Sequence, residues 1–125
     1  MRALILDDSK TMRRLLAKIL GELGFDALEA ANGRAGLDAI RAAGPADVAL
    51  VDWHMPVMDG LEFVRAVRAD PALRAMPLIL VTAESGAGEV SEGLAAGANE
   101  FVMKPFTKEI IADKLALLGL PLPPR

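Results

Sequence analysis

The chain contains no cysteine, one histidine, one tryptophan and only 4% aromatic residues, and it has no long hydrophobic run. Without cysteine there is neither a disulfide framework nor a thiolate metal site, which fits a reducing cytoplasm. The apolar stretch after Arg2 lasts from Ala3 to Leu6 before two aspartates interrupt it, too short for a secretory signal. No segment approaches the length of a membrane span. Basic blocks are missing as well: 14 basic residues face 17 acidic ones for a net charge of −3, which argues against nucleic acid as a partner. What is present is aliphatic. With 53% hydrophobic residues in 125, one domain can bury a core of Leu, Val, Ile, Ala and Met.

Short apolar runs alternate with helical patterns, which predicts repeated βα units and an α/β fold with a parallel sheet. Met12, Leu15, Leu16, Ile19, Leu20 and Leu23 recur at helical spacing, and Gly24 supplies a stop. Residues 25–30 read as a second strand. Asn32 can cap a helix that buries Leu37 and Ile40 and ends at Gly44-Pro45. A third helix from about Gly60 turns Leu61, Val64 and Val67 inward and breaks at Asp70-Pro71. Residues 89–96 form a short helix that carries Gly93 and is flanked by Gly86, Gly88 and Gly97, so it is expected to be the least stable element. Strands at 101–103 and a helix at 107–118 complete five βα units, with no linker and no second domain. The tail, 119–125, holds three prolines and is expected to fray.

The informative feature is where the reactive side chains fall. Asp7 and Asp8 follow the run 3–6, Asp52 closes 48–51, Thr82 closes 78–81, and Lys104 follows 101–103. In an open parallel sheet, ligands bind in the crevice beyond the carboxyl ends of the strands. Four segments thus deliver their chemistry to one place. Three ionised carboxylates there would repel by about 4 kcal/mol per pair at an effective dielectric near 20. Against a total stability of about 5–15 kcal/mol, protons or cations must relieve them. A few carboxylates with water suit Mg²⁺, and Lys104 adds a point charge. Aspartate can act as a nucleophile toward phosphorus, a reaction that needs positioning and charge neutralisation above all. Asp52, on the central run, is the expected nucleophile, with Thr82 as hydrogen-bond donor to a phosphoryl oxygen. Lys104 precedes Pro105, and prolyl bonds can be locked cis.

Asp7-Asp8-Ser9 running into Thr11-Met12-Arg13-Arg14, Val51 to Pro56 with Asp59-Gly60, Val81-Thr82-Ala83-Glu84, and Phe101 to Thr107 together resemble the receiver domain of two-component response regulators. The likeness is nearest to the single-domain, CheY-like chemotaxis regulators. It implies a flavodoxin-like, doubly wound (βα)5 fold of strand order 2-1-3-4-5 over residues 1–118, followed by the tail. It implies that Asp52 is the phospho-acceptor of a histidine kinase. Mg²⁺ would be held by Asp8 and Asp52 directly, by Asp7 through water, and by the backbone carbonyl of His54. Thr82 and Lys104 would touch the phosphoryl group. Phe101, at the switch-aromatic position, would report phosphorylation on the face of the fourth helix, fifth strand and last helix. His54 and Glu84 would flank the phosphoryl group and tune the entry of hydrolytic water. The expected protein is a cytoplasmic monomer that is not an enzyme beyond its own phosphorylation and dephosphorylation. Its target would be a flagellar motor or other chemotaxis component; a phosphate sink or relay is the alternative.

Three rivals lack their residues. A flavodoxin-like FMN module needs a Gly/Ser/Thr-rich phosphate loop where Asp7-Asp8 stands. An aspartate-nucleophile phosphatase wants an acid where His54 stands. A dinucleotide loop at Gly86-Ala87-Gly88 lacks its third glycine, having Ser91 instead.

Overall fold

The computed structural model describes residues 1–83 and 87–123. Strands β1 (Arg2–Leu6), β2 (Asp26–Ala30), β3 (Val48–Asp52), β4 (Leu78–Ala83) and β5 (Glu100–Lys104) alternate with helices α1 (Lys10–Glu22), α2 (Gly33–Ala43), α3 (Gly60–Ala69), α4 (Ala87–Ala96) and α5 (Lys108–Leu117). All strand pairs are parallel, and the order is β2-β1-β3-β4-β5. This is the doubly wound, flavodoxin-like arrangement implied by the motifs.

The central strands are apolar over residues 3–6, 48–51 and 78–81 because both of their faces are covered. One face gathers Ala3, Ile5, Val48, Leu50, Ile79, Val81 and Val102 under α1 and α5. The other gathers Leu4, Leu6, Ala49, Val51, Leu78 and Leu80 under α2 and α3, with Trp53. Side chains alternate faces along a strand. Thr82 therefore shares the face of Leu78 and Leu80. That is also where α4 lies: a Cβ on Gly93 would collide with the Leu80 side chain and stand 3.2 Å from Trp53 Cζ3. Gly93 was expected to weaken α4. It is also the residue that lets the helix approach the sheet.

Helix starts are set by local side chains. Ser9, Asn32 and Thr107 each accept a backbone N–H from the first turn of α1, α2 and α5, and Asp59 with Glu62 forms a reciprocal capping box on α3. Three expectations need correction. Leu15 is 45% exposed, because α1 buries the narrower stripe of Leu16, Ile19 and Leu20. Phe25 is core but not strand; its N–H closes onto Leu20 O, and β2 begins one residue later. In the tail, where fraying was expected, Leu120 and Leu122 among the described residues pack against the α1/α5 face.

Candidate functional site

β1, β3, β4 and β5 end side by side, and the pairing of Asp52 with Val81 and of Thr82 with Met103 sets their register. Asp7 lies just past β1 and is 1% exposed; Asp52 and Thr82 are buried, whereas Asp8 is exposed. Carboxylate oxygens of Asp7, Asp8 and Asp52 lie within 4.8 Å of one another. Such a set of hard oxygen donors suits a small divalent cation. Lys104 Nζ reaches across from β5 to Asp7 Oδ2 at 3.4 Å and to Asp52 Oδ1 at 3.3 Å. The Lys104–Pro105 peptide is cis.

Asp7 is the most firmly held acid. Its Oδ1 accepts the Ser9 N–H at 2.9 Å, and its backbone carbonyl accepts Arg13 Nη1 at 2.7 Å. Arg13 also meets Glu29 of β2 at 3.5 Å. Asp52 is placed from behind by Gly60. A Cβ there would stand 2.6 Å from the Asp52 carbonyl oxygen and 2.9 Å from Trp53 Cα, so only glycine lets α3 start this close to the end of β3.

Burial, followed by the charge of Asp7, raises the Asp52 carboxyl above its ordinary value, and Lys104 only partly offsets this. Burial lowers Lys104, but the charges of Asp52 and Asp7 outweigh it and the net shift is upward. The site is thus an excess of negative charge around one ammonium. An open cleft of about 440 Å³, lined by Asp8, His54, Met55, Pro56 and Asp59, leads to it.

Two expectations concern the rim. Glu84 lies outside the described residues. His54 has an exposed side chain whose Nε2 lies 3.0 Å from Oε1 of Glu89, in the first turn of α4. The other oxygen of Glu89 stands 3.5 Å from Thr82 Oγ1. Sequence reasoning missed Glu89, because spacing alone does not tell which residue of α4 hangs over the end of β4. Phe101 is half-buried against the α2/α3 face, with Lys114 Nζ 4.9 Å from its ring centroid. Lys114 is in turn bonded to Glu100 at 2.8 Å.

The family model for the response regulator receiver domain matches residues 3–116. The chain belongs to that family. It is 40% identical over 119 residues to the chemotaxis protein CheY1 of Helicobacter pylori, covering 94% of this chain and 96% of that one. Against the chemotaxis protein CheY homolog of Campylobacter jejuni it is 43% identical over 116 residues, covering 92% and 89%. The solved structure of the chemotaxis protein CheY4 of Vibrio cholerae superimposes with a TM-score of 0.85 at 34% identity, covering 93% and 96%. Receiver domains are phosphoacceptor switches rather than conventional enzymes, and they bind Mg²⁺ at an acidic cluster of the kind formed by Asp7, Asp8 and Asp52. A receiver of this type implies a histidine kinase as donor and a downstream target. No described helix is long and apolar enough to cross a membrane.

Proposed function

We propose that Asp52 accepts a phosphoryl group from a histidine kinase, and that the receiver, residues 1–118 followed by the 119–125 tail, then changes what it binds. The observation that carries this reading is the convergence of four strand ends: three acids, one lysine bonded to two of them, and a buried threonine beside them. Asp7, Asp8, Asp52 and the backbone carbonyl of His54 would hold Mg²⁺, which when bound neutralises phosphoryl oxygens. The chain's own residues do the rest. An Asp52 carboxylate oxygen attacks phosphorus, the bond from phosphorus to the kinase histidine breaks, and its electron pair stays on the imidazole nitrogen. Lys104 pairs with the new phosphoryl charge, and the Thr82 hydroxyl donates to one of its oxygens. Movement of Thr82 is coupled to Phe101, altering the face of α4, β5 and α5.

The similarity to chemotaxis proteins supports a target in chemotaxis, such as a flagellar motor component, and a monomer working in the cytoplasm. Intact-mass spectrometry after acetyl phosphate treatment tests the acceptor: wild type gains one phosphate only with Mg²⁺, and Asp52→Asn gains none. Equal incorporation in both proteins rejects the assignment. Capture of partners with and without beryllofluoride tests the output; a bound set that does not change marks a phosphate sink or relay.

A further inference from the structure

We infer that Glu89 is a positioning residue that competes with the phosphoryl group for Thr82 and so converts phosphorylation into release of α4. The inference rests on the reading of Asp52 as acceptor and goes beyond it. Glu89 is half-buried in the first turn of α4, and its two oxygens face different elements. Oε2 lies 3.5 Å from Thr82 Oγ1 on β4, and Oε1 lies 3.0 Å from His54 Nε2 in the loop after β3. A glutamate in a first helical turn is stabilising wherever it points, because the helix dipole favours it. That general benefit does not require both oxygens to be engaged across two other elements.

The threonine hydroxyl has a single proton. It can donate to Glu89 or to a phosphoryl oxygen on Asp52, not to both. A phosphoryl group carrying close to two negative charges also repels a carboxylate beside it. Formation of the aspartyl-phosphate therefore takes Thr82 from Glu89 and pushes the carboxylate outward, and the first turn of α4 loses its tie to β4. The long Thr82 contact is the one that yields. His54 is the second arm, holding the displaced residue to the loop that follows the acceptor strand. The resting protein is thus restrained by the same hydroxyl that the activated protein needs.

The test compares wild type, Glu89→Ala, Glu89→Gln, His54→Ala and the His54→Ala/Glu89→Ala double variant. Phosphate incorporation from acetyl phosphate with Mg²⁺ is followed by intact mass, and amide exchange of α4 is measured before phosphorylation. Removing the competitor should raise the rate by about five-fold in Glu89→Ala, the factor one net hydrogen bond is worth. Exchange in α4 should quicken in the resting state. The nearly isosteric Glu89→Gln, which keeps an acceptor oxygen but not the charge, should show a smaller gain in both. The double variant should be no faster than Glu89→Ala, because His54 acts through Glu89. A merely structural glutamate would give slower variants. Rates at or below wild type in both Glu89 variants, with unchanged α4 exchange, overturn the inference. If wild type takes up no phosphate, or Asp52→Asn takes up as much, the acceptor reading fails instead, and resting α4 exchange still decides whether Glu89 restrains the helix.

Discussion

Lys104 Nζ and Asp52 Oδ1 lie 3.3 Å apart, yet their surroundings favour the charged form of the lysine and disfavour that of the aspartate. Lys104 faces two carboxylates, so its charge is favoured. Asp52 is buried and has two acidic neighbours against one ammonium, so its ionisation is disfavoured. In the absence of Mg²⁺, the raised Asp52 gives stability that is full below about pH 3.8 and declines as pH climbs through its folded value. The raised Lys104 gives stability that is full below about pH 10.5 and is lost above it. Asp52→Asn should abolish the acid-side decline and lessen the alkaline one, which urea unfolding across pH will show. Mg²⁺ at ten times its dissociation constant should stabilise wild type by about 1.4 kcal/mol. The Asn variant should gain clearly less.

Gly60→Ala should harm both fold and chemistry. The added methyl would meet the backbone of Asp52 and Trp53, which cannot rotate away. A loss of about 1–3 kcal/mol is expected from overpacking, together with slower phosphorylation. Near-wild-type behaviour in both assays would show that the helix start can shift without moving Asp52.

Arg68 supports the opposite end of the sheet. Its guanidinium donates to the carbonyls of Gly97, Arg74 and Met76 and to Asn99 Oδ1, at 2.7–2.9 Å. Burial lowers its pKa, and its partners are neutral acceptors. Arg68→Ala should cost about 2–4 kcal/mol in urea unfolding by leaving carbonyls unpaired. Lysine should recover little, since one ammonium cannot span a planar fork of acceptors.

Val57 is 79% exposed with φ of +70°, in a tight turn closed by Met58 N–H to Pro56 O at 2.7 Å. A β-branched residue is strained there, whereas asparagine tolerates it. Val57→Asn should raise stability by about 1 kcal/mol and leave phosphorylation by acetyl phosphate unchanged. A fall in melting temperature would refute the strain.

The strand ends were legible because a parallel sheet converts position after an apolar run into position in space. Asp7, Asp52, Thr82 and Lys104 could be read that way. Glu89 and Arg68 could not, since each is one polar residue among several on its helix. Its partners depend on how far the helix overhangs its strand, which the packing of Gly93 against Leu80 decides. The second role of Gly93 was hidden for the same reason: propensity counts the missing Cβ as a loss, and only tertiary packing shows that it is required. Phe25 and Leu15 show the remaining limit, that an apolar residue at an element's margin declares burial without declaring geometry.

The two ends of α4 are held unequally. At its carboxyl end, Gly97 O accepts Arg68, while Gly97 and Ala98 bond back to Gly93. At its amino end, among the described residues, the side-chain ties are those of Glu89. A rod fixed at one end and lightly pinned at the other swings rather than slides. On the proposed switch, the Arg68 anchor would act as a fulcrum, so that a small displacement at Thr82 would become a rotation of the whole helix whose reach grows with distance from Gly97.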